Sequence, residues 1–198
     1  MKFVRSAVVV AAAAVALVPT AAQAAGSSHS DAVGDQHSVA VDSAGHVTDT
    51  TSTPEPASTN GDITSIHVVN GSRVVKVVTR YRDLAATGRG LLHELQILSP
   101  NRNRLVYIDA YPGRWGGKAT MRTAHGKRVS CAVRHRIDYA RNVIVVKVPR
   151  SCLGRPRVVK VGAATLVGDG AGKIFYDDAY RVGGEWTDTF VLSPKVFR

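Results

Sequence analysis

The sequence is poor in what would mark most specialised classes. Only 2 Cys occur in 198 residues, too few for a fold stapled throughout by disulfides. Aromatic residues make up 6%. No glycine triplet repeat and no heptad run is present, which excludes collagen-like and coiled-coil chains. Acidic residues are scarce, 15 against 26 Lys and Arg. Long apolar runs are missing as well. Ala7 to Val18 is the longest, and its 12 residues fall well short of the ~20 that a spanning helix needs.

That short run has a context of its own. A basic head (Lys2, Arg5) precedes it, Pro19 ends it, and Ala22–Gln23–Ala24 matches a small-residue cleavage pattern. Residues 1–24 are therefore expected to be a signal peptide, and the protein to be secreted into the extracellular space without a membrane span. From Ala25 to Asn60 the chain has no aromatic residue, no Lys or Arg, and five acids: Asp31, Asp35, Asp42, Asp49 and Glu55. So little apolar surface does not offset an ordering cost of ~1–2 kcal/mol per residue. Residues 25–60 are expected to form a disordered acidic linker. His29, His37 and His46 recur at regular spacing in it, which on a loose chain is poor support for a metal site.

Residues 61–198 read as one domain, with 24 basic residues against 10 acidic. Runs rich in β-branched residues cover 63–69, 73–81, 91–98, 105–111, 129–139, 143–149, 158–166, 173–180 and 187–192, separated by Gly, Pro and Asn. The expectation is an all-β antiparallel two-sheet sandwich, jelly-roll-like, of about nine short strands. Asn70–Gly71–Ser72 fits a glycosylation sequon, and its hairpin-turn chemistry accounts for it better.

Cys131 and Cys152 are expected to form a disulfide, since a lone pair of cysteines in an exported chain pairs. A two-residue turn at Arg141–Asn142 sets Cys131 opposite Cys152, Ile137 opposite Val146, His135 opposite Val148 and Arg136 opposite Lys147. That register makes one face of the hairpin mostly apolar.

The stretch Val145–Val146–Lys147–Val148–Pro149–Arg150–Ser151–Cys152–Leu153–Gly154–Arg155–Pro156 is distinctive. Taken with Gly61–Asp62–Ile63 and Tyr81–Arg82–Asp83–Leu84, it resembles secreted actinobacterial β-sandwich proteins in which a valine-rich strand enters a Pro-Arg-x-Cys-Leu-Gly-x-Pro segment. The resemblance spans nearly all of residues 61–198. It implies a sandwich fold and export, and it implies no activity, ligand or catalytic residue.

Chemical motifs fail one by one. Gly168–Asp169–Gly170–Ala171–Gly172–Lys173 has Val167 where a phosphate loop needs glycine, and Ile174 where it needs Ser or Thr. No G-x-S-x-G elbow and no S-x-x-K pair occurs, and His93–Glu94 lacks the second His of a zinc-protease helix. His67, His93, His125 and His135, with Asp109 or Asp138 and Ser65 or Ser130, supply a dispersed triad only if geometry unites them. Glu94, Asp109 and Asp188 are the carboxylates open to glycoside hydrolysis. Asp169, Asp177, Asp178 and Asp188 are close enough in sequence to suggest calcium between loops, but EF-hand spacing is absent. No metal ligand or cofactor is assigned. Trp115, in the loop Tyr111 to Gly117, is the candidate for sugar stacking, with Trp186 beside Gly183–Gly184–Glu185 a weaker one.

Charge is the strongest feature. Lys127 to Lys160 holds ten basic residues and a single acid, Asp138. Arg134, Arg136, Arg141, Lys147, Arg150, Arg155, Arg157 and Lys160 are the candidate anion-binding residues. The expected protein is a monomeric, non-enzymatic extracellular module that meets an anionic cell-envelope polymer or polysaccharide and no specific nucleic acid. A small hydrolase and a sugar-binding sandwich are the alternatives. The address is directly testable: N-terminal sequencing of protein recovered from culture medium should begin at Ala25, and membrane-associated material retaining residues 1–24 would contradict export.

Overall fold

A computed structural model describes residues 26–181 and 189–198; the expected signal peptide and its cut before Ala25, Trp186, Asp188 and the start of the run at 187 lie outside them. Thirteen strands and two short 3-10 turns are present among the described residues, and no α-helix. The strands are β1 (Gly26–Ser30), β2 (His37–Val41), β3 (Val47–Pro54), β4 (Ile63–Asn70), β5 (Val74–Tyr81), β6 (Gly90–Ser99) and β7 (Arg102–Ala110). They continue as β8 (Lys118–Thr123), β9 (Arg134–Asp138), β10 (Val143–Pro149), β11 (Val158–Gly168), β12 (Lys173–Asp178) and β13 (Val196–Phe197).

Two antiparallel sheets pack face to face. One has the order β1-β4-β5-β10-β9; the other runs β3-β2-β12-β11-β6-β7-β8, with β13 beside β11. The sandwich follows from strict alternation. In β5, β6 and β10 every second residue is buried, so each strand gives one apolar row to the space between the sheets. Ile63, Ile66, Val68, Val77, Leu95, Ile97, Val106, Ile108, Ile144, Val146 and Val161 fill it. Each such side chain contributes about 1.5–3 kcal/mol on burial. Asn70 is buried as well, its Nδ2 donating to the carbonyls of Arg157 and Val196 at 3.3 Å, while Gly71 turns the chain back with its N–H on Val74 O.

The N-terminal segment corrects the expectation most sharply. Residues 26–54 carry three strands instead of a disordered linker. β1 pairs with β4 on one sheet, and β2 pairs with β12 on the other. Val39 is the one large apolar side chain this segment buries fully, as its apolar-poor composition requires. The rest of the anchoring is polar. Edge strands offer unpaired backbone groups that a polar strand satisfies as well as an apolar one. Lys173 Nζ meets Glu55 Oε1 at 2.6 Å, and Ser38 Oγ donates to the same oxygen. His29 stacks on Tyr180 with ring centres 4.7 Å apart, His37 is hydrogen-bonded to Ser52, and His46 meets Asp42. The three histidines thus serve three separate contacts.

The hairpin register also differs. Ile144 faces Ile137, Val146 faces His135, and Lys147 faces Arg134. The connection is a 3-10 turn (Tyr139–Arg141) capped by Asp138, followed by Asn142 in the left-handed region at φ 51°. That longer turn slides the pairing by two residues, which keeps the same side chains facing the core. It also places Arg134, not Arg136, across from Lys147. Residues 129–133 stay outside the ladder, β8 was not foreseen, and the expected strand at 187–192 is replaced over 189–192 by irregular chain leading to β13. Beyond the ladder, Cys131 and Cys152 form the disulfide, Cα–Cα 6.0 Å, closing a separation of 21 residues. The chain-entropy argument values such a closure at about 3 kcal/mol.

His93 on β6 is wholly buried beneath Tyr81 and Thr165, whose hydroxyls lie 3.0 and 3.2 Å from Nδ1. Burial holds its imidazole down at about 3, so it is neutral in the folded protein. An unfolded His titrates near 6.5. Between those values the unfolded chain binds the extra proton, and stability falls as pH falls. His93→Gln should therefore remove roughly 2–3 kcal/mol of the loss between pH 7 and pH 4, measured by urea unfolding. Parallel pH profiles of the two proteins would contradict this.

Candidate functional site

Two features concentrate charge: the outer face of the five-stranded sheet, and a carboxylate cluster at one end of the sandwich.

On the first, alternation sends Val75, Val77, Ile144 and Val146 inward and the residues between them outward. One row across the sheet reads Arg134, Lys147, Lys76, Val69 and Gly26. Three cations thus stand side by side on β9, β10 and β5, spanning about 10 Å at ordinary strand spacing. The next row is Arg136, Val145, Val78 and His67, and the one beyond it Asp138, Val143, Arg80 and Ser65. Arg136 is partly answered by Asp138 at 2.8 Å. Half-buried valines make shallow apolar floors between the cations.

Of the eight candidate cations, Arg134, Arg136 and Lys147 share this face. Arg141 sits at the hairpin tip, and Arg155 and Arg157 are exposed near the other end of the strands. Lys160 belongs to the opposite sheet, where it pairs with Leu98. Arg150 is 6% exposed and works inside the fold. Its guanidinium donates to Ser72 O and Pro156 O, tying the 3-10 turn Arg150–Leu153 to the β4–β5 hairpin. The candidate set loses Arg150 as a ligand for this reason, while Lys76 and Arg80 join the face. Their outward alternation in Val74–Lys76–Val78–Arg80 is legible in the sequence, but they stand before the dense Lys127–Lys160 run, where charge density alone gives no sign of them.

Among the described residues, His67, His93 and His135 stand in three separate settings. His93 is locked in the core. His67 is on the outer face with Ser28 Oγ 2.7 Å from its Nδ1, and His135 Nε2 donates to Gly116 O. A groove on the outside of the larger sheet is lined by Leu92, Leu166, Ile174 and Tyr111, with Arg89, Lys173 and Asp109 as its charged groups; no histidine lines it. Trp115 is half-buried, edge-on to Tyr139 at 6.3 Å, with its carbonyl accepting from the Tyr139 hydroxyl. Both of its contacts are thus with Tyr139, which itself packs on the core.

The acids gather elsewhere. Asp35 lies on the crossing from β1 to β2, Asp62 just before β4, and Asp177 on the inner face of β12. One carboxylate oxygen from each comes within 4.8 Å of the others. Asp62 Oδ2 accepts from Gly34 N at 3.0 Å with Arg82 Nη1 at 3.7 Å, and Asp177 Oδ2 accepts from Ile63 N at 2.6 Å. Burial, reinforced by neighbouring aspartates, pushes Asp31 and Asp177 up to about 8; burial raises Asp62, against the pull of Gly34 N–H and Arg82. Asp178 faces away, accepting from Tyr180 N and Val191 N. Asp169 caps the turn at Ala171 and Lys173. The acids adjacent in sequence are thus not the ones adjacent in space, apart from Asp177.

No protein-family model, no curated protein and no solved structure matches the chain. The division of the arginines has a direct consequence for stability. Arg150→Ala should cost about 2–3 kcal/mol by leaving the buried Pro156 carbonyl unpaired and freeing that of Ser72, whereas Arg134→Ala should stay within about 0.5 kcal/mol of wild type. Urea denaturation of both variants measures this, and equal losses would contradict the assignment.

Proposed function

We propose that this is a secreted, non-enzymatic β-sandwich module whose five-stranded sheet lays its outer face on an anionic polymer of the cell envelope, phosphate- or sulfate-bearing. The observation that carries the reading is the row Arg134–Lys147–Lys76. Like charges placed directly opposite destabilise a sheet unless an anion relieves them. Arg136 and Arg80 add cations in the next two rows, on β9 and β5, and Asp138 is the face's single acid among these positions. Arg forks two donors onto one phosphate or sulfate group, and Lys supplies a mobile point charge. The half-buried valines let the polymer's backbone lie close without a deep pocket. The disulfide supports an oxidising compartment, in keeping with an extracellular partner. Arg141, Arg155 and Arg157 lie at the ends of the strands and serve long-range attraction more than contact.

The reading predicts salt-sensitive binding of immobilised polyphosphate and of a sulfated polysaccharide, weakening at least tenfold between 50 and 200 mM NaCl as counterions are released. Replacing Lys76, Arg134 and Lys147 together with Ala should lower affinity by about tenfold or more, while Lys160→Ala, on the other sheet, should leave it unchanged. Absence of binding at 20 mM salt, or equal loss in both variants, contradicts the proposal.

A further inference from the structure

We propose that Asp35, Asp62 and Asp177 bind one divalent cation of the calcium type, and that this ion fastens the N-terminal strands to the sandwich. The three carboxylates come from three parts of the chain brought together only by folding: the β1–β2 crossing, the lead into β4, and β12. Their nearest oxygens, all within 4.8 Å of one another, already fit one coordination sphere. Two oxygens each 2.3–2.6 Å from a calcium ion are at most about 5 Å apart.

A separate observation points the same way. Asp62 has no solvent exposure, yet its Oδ1 meets no hydrogen-bond donor among the described residues. Buried carboxylate oxygens normally accept hydrogen bonds or ligate metals. Asp31 Oδ2 and the amide oxygen of Gln36, both buried, likewise lack a donor, and both belong to the chain that flanks Asp35. Asp31 is close enough to Asp35 and Asp177 to feel their charge, so the stretch 31–36 adds a further carboxylate to the cluster, and Arg82 lies 3.7 Å from Asp62. An all-oxygen set with no thiolate or imidazole selects calcium or magnesium over zinc and copper. Mixed carboxylate and amide oxygens on a loop suit calcium's loose sphere of 6–8 ligands better than magnesium's rigid octahedron.

The consequence is mechanical. Residues 31–36 are where the chain leaves the five-stranded sheet and enters the other. An ion held by Asp35 from this crossing, Asp62 from the first sheet's lead-in and Asp177 from the second sheet ties all three at one point. Without it, the crossing must be held against the repulsion of the same carboxylates.

The test uses the full oxidised chain, stripped with chelator and titrated with CaCl2 at pH 7.5, with MgCl2 as comparison. Calorimetry should show one calcium per chain with a Kd between about 10 µM and 1 mM, and weaker magnesium binding. Saturating calcium should raise the melting temperature by roughly 5–10 °C. Asp35→Asn, at a half-buried loop position, should weaken calcium binding by about tenfold or more. Its calcium-free melting temperature should be equal to or above wild type, because one repelling charge has gone. Asp177→Asn provides the same comparison from the opposite sheet. No binding heat together with a melting shift below 1 °C at 5 mM calcium overturns the proposal. So does undiminished calcium binding in both variants. If lowering the pH from 8 to 6 stabilises the chelated protein while calcium does nothing, the carboxylates share protons and the ion reading is wrong.

Discussion

Asp62 sits without solvent contact at the join between the two sheets, its Oδ2 bound to Gly34 N and its Oδ1 without a donor among the described residues. Placing a carboxylate there is costly unless opposite charge or hydrogen bonds compensate. Asp35 and Asp177 stand beside it, and the cost rises with each. Under the proposed ion site, the way this group of acids is neutralised sets how firmly the β1–β2 crossing is held to the fold. Strands β1, β2 and β3 bury little apolar surface, so the balance at the acids weighs more heavily on them than on any central strand.

The remainder of the sandwich rests on ordinary grounds. β5, β6, β10 and β11 alternate β-branched or leucine side chains inward, and the disulfide closes the far end of the β9–β10 hairpin. His93, Tyr81, Thr79 and Thr165 form a buried polar knot at the centre. Its hydroxyls and imidazole satisfy one another while the ring stays neutral. The two charged features divide between the parts of the molecule: cations on the exposed face of one sheet, acids at the crossing into the other. The proposed polymer contact uses the first, and the proposed ion site the second.

The sequence made the central strands legible because period-two alternation and Gly-containing turns are local signals. Ile63 to Tyr81, with its Asn70–Gly71 turn, matches β4 and β5 within a residue, while β7 begins at Arg102, three residues before the run expected from Leu105, because polar Arg102–Asn103–Arg104 resemble a turn. The cysteine bond was readable from parity and context. The β9–β10 register was missed by two residues because Asn142 adopts a left-handed conformation and lengthens the turn, and a two-residue slip leaves the hydrophobic pattern unchanged. The order within residues 25–60, expected to be a disordered linker, is not legible because edge pairing and ion pairs such as Lys173–Glu55 leave no trace in composition. Asp35 and Asp62 were passed over for a similar reason. They are 27 residues apart in the sequence and 115 residues separate Asp62 from Asp177, so only the fold makes them neighbours. On the basic face the run Lys127–Lys160 drew attention to charge density, whereas the face itself is set by strand adjacency, which brings in Lys76 and leaves out Lys160.

Hydrogen exchange reports most directly on whether the acid cluster and its ion hold the N-terminal strands in place. With 2 mM calcium, backbone amides of residues 26–54 should exchange at least about tenfold more slowly than in chelator, while β6 and β7 exchange alike in both. Exchange of residues 26–54 at unprotected rates in both conditions would contradict their place in the sandwich, and equal protection in both would show that no ion is needed to keep them there.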